Sequence, residues 1–269
     1  MKTKMHWIPA FAMACLLTAG LSAVRAVEES GTGVSDEDLV LARNPIIIKS
    51  RVRLASEFTD AGGGDYRDKW ILGAAYGFGF NGHDRNFGIG FELPFLRNHP
   101  KGGASDSGIG DLKLRFGQIF IDDPNGWRAG WFFETEFDTA VNAVQAIANQ
   151  RTQMALGGGA SYPIWRNFVL SSTLQYGWSL DEGATTGEKS EWEAHLTASA
   201  KLTPCMSLNL DYKPVIKTEH GSELFNTLEP SVGWTLGANK NLGLIASCEL
   251  PLDHSSTDWI AKVGTIWFF

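Results

Sequence analysis

The chain of 269 residues has only 3 cysteines and, after its first 26 residues, no apolar run long enough for a membrane helix. Its mean hydropathy of −0.11 excludes a helical membrane protein. Helical periodicity is also missing after residue 27, apart from a weak pattern over residues 140–149. The 30 glycines and the aromatic content of 12% argue further against helices.

The first 26 residues are expected to be a cleaved signal peptide. Lys2 and Lys4 precede an apolar run over residues 7–24, and Ala26 completes a small-residue cleavage site. A membrane anchor and a lipoprotein modified on Cys15 are alternatives. The run is short for an anchor, and it continues past Cys15, whereas a lipid-modified cysteine ends such a run.

The chain expected after cleavage is acidic. It keeps 20 of the 23 basic residues and all 30 acidic ones, which gives a formal charge of −10. No nucleic-acid partner is expected for such a chain. Residues 27–44 are expected to form a flexible acidic lead-in on the periplasmic side, and residues 45–269 one domain, because no linker interrupts them.

From residue 48 onwards, apolar residues alternate with charged or small ones, which is the period of a β-strand. In the first segment, Val52 and Leu54 alternate with Arg51 and Arg53. The alternation recurs near residues 70–80, 87–95, 111–120, 128–138, 152–162, 168–178, 192–202, 208–216, 225–236, 242–250 and 259–269. About twelve antiparallel strands are predicted, each long enough to cross a membrane at a tilt.

The connections between these segments alternate in length. Short turns are predicted at residues 81–86, 122–126, 163–167, 203–207 and 237–241, and longer polar links at 59–68, 97–108, 139–151, 179–190, 218–224 and 251–258. Short periplasmic turns and long extracellular loops are typical of outer-membrane barrels. Both chain termini are therefore expected in the periplasm.

A soluble barrel or sandwich is the alternative fold. However, the strand face that carries Gly, Lys, Arg and Glu would make a poor dry core. The other face carries aromatic residues near the strand ends, as in the girdles at the two membrane interfaces: Trp70, Phe80, Phe87, Phe95, Phe120, Phe137, Tyr162, Phe168, Trp178, Trp192, Trp259 and Trp267. We predict an all-β, transmembrane, antiparallel up-and-down barrel, monomeric and in contact with the lipids of the bacterial outer membrane.

Two segments resemble known outer-membrane signals. The last strand ends on Phe269, like the C-terminal signal read by the barrel-assembly machinery. Residues 107–116, SGIGDLKLRF, resemble a strand of the outer-membrane transporters in the MetA-pathway phenol-degradation family. The second resemblance implies a barrel that moves small, often aromatic or apolar, compounds across the outer membrane.

Charged residues on the inward face are the candidate lining of a solute path: Lys49, Arg51, Arg53, Glu92, Asp111, Lys113, Arg115, Arg128, Glu134, Glu136, Asp138 and His195. If opposite signs lie on separated arcs, their field orients a permeating solute. The alternative is that they pair across strands. Inward glycines either widen the lumen or relieve crowding: Gly77, Gly79, Gly88, Gly90, Gly157 and Gly159.

His195 is expected to point inward beside Glu193 in a structural role, because no second histidine has a fixed place near it for a metal site. The other strand-region histidines fall in turns and loops, where exposure is expected: His83, His99, His220 and His254. Cys205 is predicted in a periplasmic turn and Cys248 on the lipid face near the far end of its strand. Both thiols are expected to be free, since they lie too far apart to bridge.

The sequence thus predicts a channel or transporter for passive passage of small solutes, with no cofactor, metal or enzymatic activity. A non-conducting structural or adhesive barrel is the main alternative. A lipid hydrolase requires Ser, His and an acid near the outer rim, but the outward serines Ser50, Ser56 and Ser172 have no outward histidine. An autotransporter pore is a further option, for which residues 27–44 are too short a passenger.

Overall fold

The computed structural model describes residues 50–60, 64–80, 83–123, 126–141, 144, 152–165, 167–180, 190–218, 223–236, 241–253 and 258–269. The predicted signal peptide, the lead-in and Lys49 lie outside the described residues. Within these residues no helix is both long enough and apolar enough to cross a membrane.

The described residues form thirteen strands. In chain order they are β1 (Arg51–Asp60), β2 (Tyr66–Phe80), β3 (His83–His99), β4 (Asp106–Ile109), β5 (Leu112–Asp122), β6 (Arg128–Phe137), β7 (Gln153–Trp165), β8 (Phe168–Ser179), β9 (Ser190–Thr203), β10 (Met206–Lys217), β11 (Glu223–Leu236), β12 (Leu242–Pro251) and β13 (Trp259–Phe268).

The strands close into one antiparallel barrel. Strands that follow each other along the chain pair, except β4 and β5, and β1 pairs with β13 over the whole of both strands. The short β4 pairs with the end of β3, and β5 continues along the rest of it. Because β4 and β5 together occupy one position around the wall, the barrel has 12 strands. The predicted fold class and strand number are confirmed.

The two ends of the barrel differ in the length of their connections, as predicted. At the terminal end, where β1 begins and β13 ends, β2 leads to β3 between Phe80 and His83. At the opposite loop end, β6 leads to β7 between Phe137 and Gln153. The predicted link 97–108 is wrong in part, because β3 continues to His99 and β4 begins within the link. Backbone pairing with neighbouring strands extends these strands beyond the alternating pattern.

Apolar side chains cover the outside of the barrel. Leu54, Leu196 and Val263 are each more than half exposed. Aromatic rings pair near both ends, with centroids 5.5 Å apart for Phe58–Trp259 and 4.9 Å for Tyr176–Trp192 at the loop end. Trp127–Tyr162 at 4.9 Å and Trp165–Phe168 at 5.6 Å lie at the terminal end. Such a surface, with an aromatic belt at each end, suits a membrane and is unfavourable in water.

Some apolar side chains also point inward, which strict alternation does not predict. Ile245, Ile266 and Phe268 form a buried cluster near the terminal end. Phe132, on β6, is 1% exposed. The interior is therefore a packed mixture of polar and apolar groups.

Candidate functional site

The inward-facing residues of β1 to β6, here called the first wall, bring most of the predicted charges together. The register places Arg115 opposite Glu134, and Lys113 opposite Glu136 on one side and Glu92 on the other. Directly opposed side chains lie within reach of each other in a sheet. The strand alternation that predicted these residues on one face also gives them partners.

Ion pairs link the first wall from strand to strand. Glu134 accepts from both Lys113, with Nζ 2.8 Å from Oε1, and Arg115, whose Nε lies 2.8 Å from Oε2. Lys113 also lies 3.4 Å from a carboxylate oxygen of Glu136. Arg53 Nη1 lies 3.3 Å from Glu92 Oε1. Glu134 is thus the shared acceptor of the cluster, and its side chain is 10% exposed.

The second wall, formed by the inward-facing residues of β8 to β13, carries a quartet of charges absent from the predicted set. Lys213 Nζ lies 2.5 Å from Glu229 and 3.3 Å from Glu249. Lys262 Nζ lies 3.0 Å from Glu229 and also pairs with Glu249. Each of the four alternates with apolar neighbours along its strand, so the same alternation could have identified them. Glu229 is 1% exposed, the most buried of the four.

His195 lies in the second wall between two carboxylates. Its Nε2 is 2.7 Å from Glu193 Oε1, and its Nδ1 is 3.1 Å from Asp211 Oδ2. Thr197 donates to the other oxygen of Asp211 at 3.0 Å, and Gln175 donates to Glu193 at 2.6 Å. The inward orientation beside Glu193 agrees with the sequence analysis. In the described part of the chain, no group of three His, Cys, Asp or Glu is placed to hold a metal ion.

The remaining predicted residues lie outside these clusters. Arg51 begins β1 at the terminal end, and Arg128, also at that end, pairs with Asp122, with Nε 3.0 Å from Oδ1. Asp138 follows β6 at the loop end and is exposed. Lys49 lies outside the described residues.

Asp111 ties a connecting segment to the wall at the junction of β4 and β5. Its Oδ1 accepts the backbone N–H groups of Thr139 and Ala140, both at 3.0 Å. The Thr139 hydroxyl in turn donates to Gly110 O and accepts from Leu112 N. Asp111 is 5% exposed. These hydrogen bonds among Asp111, Thr139 and Ala140, here called the clasp, hold the segment after β6 against the wall.

The clasp coincides with a β-bulge. Phe95 lies opposite Ile109 and Glu92 opposite Lys113, so β4 and β5 hold one residue more than the matching stretch of β3. A Cβ on Gly108 would come within 2.3 Å of a methyl group of Val141 and 3.2 Å of one of Val144. Residues 107–112, the part of the family-like segment with the two glycines, therefore form a bulge over which the segment after β6 packs.

Phe132 on β6 packs closely against Gly157 on β7. A Cβ on Gly157 would lie 2.4 Å from Phe132 Cζ and 2.8 Å from Gln175 Cβ. The guanidinium of Arg115 lies 6.0 Å from the centre of the Phe132 ring. Of the two roles considered for inward glycines, Gly157 has the second: it accommodates a neighbouring side chain rather than widening the lumen.

A cavity of about 220 Å³ lies between the two walls. Lys113, Arg115 and Glu134 line it from the first wall. The second wall contributes Glu193, His195 and Asp211, together with hydroxyl and amide side chains. Its described lining is polar or charged throughout, so it is a space for water or a polar molecule inside the barrel.

The charges of both walls pair with neighbours of opposite sign. This is the cross-strand pairing considered as the alternative to separated arcs. Register places opposite charges side by side, and a charge removed from water is stabilised by a close partner.

The described cysteines and one histidine bear on the earlier predictions. Cys205 and Cys248 are both free, as predicted. The expected exposure of His99 is wrong: its side chain is 13% exposed. Its Nε2 lies 3.0 Å from Asp68 Oδ2, and its Nδ1 3.0 Å from Ser105 Oγ.

Ser50, predicted to face outward, is buried, and its hydroxyl accepts the Gly77 N–H. The side chains of His83, His220 and His254 lie outside the described part.

No protein-family model matches the sequence, and no curated protein matches it. Solved structures do share the fold. The COG4313 outer membrane channel from Pseudomonas putida F1 has a TM-score of 0.66 at 12% identity, over 91% of this chain and 100% of that one. The KdgM porin in complex with disordered oligogalacturonate has a TM-score of 0.54 at 8% identity, over 81% and 99%. The translocator domain of the autotransporter NalP from Neisseria meningitidis has 0.51 at 12% identity, over 97% and 99%.

At these identities the comparisons establish the fold, a closed barrel of the kind found in outer-membrane channels and porins. A closed barrel leaves no unpaired sheet edge, and its apolar exterior requires a hydrocarbon environment. The protein is therefore an outer-membrane barrel, as the sequence predicted. The resemblance to the phenol-degradation family remains a prediction.

Proposed function

We propose that this barrel is a channel through which small solutes pass passively, along a lumen lined by charged and polar side chains. The observation that supports this most directly is the polar cavity of about 220 Å³ between the two walls. Polar groups in a narrow passage replace part of a solute's hydration shell. An interior that served only to hold the barrel together would more simply be packed with apolar side chains.

The proposed path includes the predicted charged residues on both sides of the cavity. Arg53 with Glu92, and the cluster around Glu134, line the first wall, and His195 lines the second. Arg51 and Arg128 extend the path toward the terminal end, and Asp138 toward the loop end. The family resemblance implies small apolar or aromatic solutes, whereas the described cavity lining is polar.

The proposal includes the maturation and orientation of the chain. Cleavage after Ala26 leaves residues 27–44 as a periplasmic lead-in, and residues 45–269 form the barrel. The terminal end faces the periplasm, the barrel-assembly machinery reads Phe269, and the barrel acts as a monomer without a cofactor. Phe269 is 63% exposed, so its ring is accessible to a partner.

Planar lipid bilayers test the channel directly. We expect the refolded mature chain to give discrete, voltage-independent current steps in potassium chloride. Protein from the same preparation, unfolded by heating, should give none. Folded protein with no current and no solute flux in vesicles would overturn the proposal.

A non-conducting structural or adhesive barrel is the second candidate. The ion pairs of both walls and the packing of Val144 against Gly108 favour a filled interior. Val144 lies in the connection between β6 and β7, and it is only 1% exposed. In the same experiment this candidate predicts silent bilayers from correctly folded protein.

A further inference from the structure

We propose that the cavity between the walls is a binding subsite for a neutral, hydroxylated solute such as a sugar or a polyol. This inference rests on the proposed channel function and names the class of solute that the channel favours.

Hydroxyl and amide side chains from four adjacent strands converge on the cavity. They are Ser171, Thr173 and Gln175 on β8, Thr197 on β9, Asn209 on β10 and Ser231 on β11. The register holds them in neighbouring rows, with Ser171 opposite Thr197 and Asn209 opposite Ser231. Hydroxyl and amide groups both donate and accept hydrogen bonds. They match the hydroxyl groups of a polyol, which also do both.

The charges around the cavity are already paired with each other. Lys113 and Arg115 are held by Glu134, and His195 lies between Glu193 and Asp211. A charged solute would have to compete with these short contacts for a partner. An apolar solute would remove water from the polar lining and return no hydrogen bonds. A neutral solute with hydroxyl groups avoids both costs.

Unpartnered polar atoms continue from the cavity toward the terminal end. Within the described residues, Asn209 Oδ1 is buried without a hydrogen-bond partner, although its Nδ2 donates to Ser231. The hydroxyls of Ser199, Ser207 and Thr235 are also buried and unpartnered. Buried polar atoms require a partner, from water or from a ligand. Among these residues, Asn209 lines the cavity itself.

The size of the cavity limits the solute. Its volume of about 220 Å³ corresponds to roughly seven water molecules at about 30 Å³ each. The cavity therefore accommodates one small solute.

Uptake by proteoliposomes tests the inference with three solutes of similar size. Sorbitol is neutral, gluconate carries one negative charge and N-methylglucamine one positive charge. We expect radiolabelled sorbitol to enter faster than either charged solute. Thr173→Val and Asn209→Leu remove cavity hydrogen-bonding groups, and each should slow sorbitol entry about fivefold, the effect of one lost hydrogen bond.

Thr265→Val is the matched control, because Thr265 faces outward in register with Leu54 and Leu244. It should leave sorbitol entry unchanged. Heat-dependent migration on gels verifies that each variant has folded. A conducting protein that prefers a charged solute, or that carries sorbitol equally well with Thr173→Val and Asn209→Leu, would overturn the inference and leave the channel intact. Folded protein without any current or flux would overturn the channel, and the subsite with it.

Discussion

The two walls of the lumen stabilise buried charge in different ways. In the first wall, one carboxylate, Glu134, serves two cations, Lys113 and Arg115. In the second wall, Lys213 and Lys262 each contact both Glu229 and Glu249. Arg115 is held by Glu134, which it shares with Lys113, and Lys113 also contacts Glu136, whereas each ion in the second wall has two partners. We therefore expect Arg115 to be more sensitive to the loss of Glu134 than either lysine of the second wall is to the loss of Glu249.

The largest expected effect comes from the shared acceptor. Glu134→Gln removes the acid partner that Arg115 has within 4 Å on the neighbouring strand, and should lower the free energy of unfolding by about 3 kcal/mol. Glu249→Gln is the control in the second wall, where both lysines keep Glu229, and should cost less than half as much. Urea unfolding in lipid vesicles, followed by tryptophan fluorescence, measures both. Equal losses would show that the walls do not differ in this way.

The contact between Phe132 on β6 and Gly157 on β7, the strand that separates the two walls, gives the next largest effect. Gly157→Ala places a methyl group 2.4 Å from Phe132 Cζ, and we expect a loss of about 1–3 kcal/mol in the unfolding free energy. Gly73→Ala is a matched inward glycine whose nearest neighbours would lie at 3.4 Å, an ordinary contact. If steric crowding is the cause, adding Phe132→Leu to Gly157→Ala should recover part of the loss. No recovery would contradict this explanation.

The clasp at Asp111 belongs to the first wall, and its loss should act locally. Asp111→Ala leaves the N–H groups of Thr139 and Ala140 without their acceptor. Hydrogen exchange at these two amides should accelerate about tenfold, the effect of losing roughly 1.4 kcal/mol of local stability. Asp106→Ala, at an exposed position of β4, should leave both amides unchanged. A uniform acceleration along the whole barrel would instead indicate global destabilisation.

The last prediction compares the terminal end of the barrel with the loop end, and it perturbs the protein least. Cys205 is exposed in the turn between β9 and β10 at the terminal end. If this end faces the periplasm, a membrane-impermeant maleimide applied to whole cells should not label Cys205. Lys101→Cys, exposed at the loop end, should be labelled after Cys205→Ser and Cys248→Ser remove both free thiols, and Cys205 itself is tested in the Cys248→Ser background. The reverse pattern would place the chain termini outside the cell.

The predicted set contains most charges of the first wall, whereas it contains only His195 from the second. Lys113 and Arg115 alternate with Leu112, Leu114 and Phe116, which makes their inward face plain. Lys213 and Glu229 stand in equally suitable places, but Pro214 and Pro230 interrupt the local pattern of strand residues. Both prolines lie within paired strands. Whether a strand with a proline pairs depends on its neighbouring strands. The alternation within a single segment gives no information about them.

The sequence by itself determined the strand period, the face that meets lipid, the alternation of short and long connections and the closed barrel that follows. These features are local, because each strand must present apolar side chains to one side at a period of two. Tertiary structure decided which charges meet, where β4 and β5 gain their bulge, and that Phe132 packs over Gly157. Those outcomes depend on the register between strands and on the curvature of the closed wall, which bring together residues far apart in the chain.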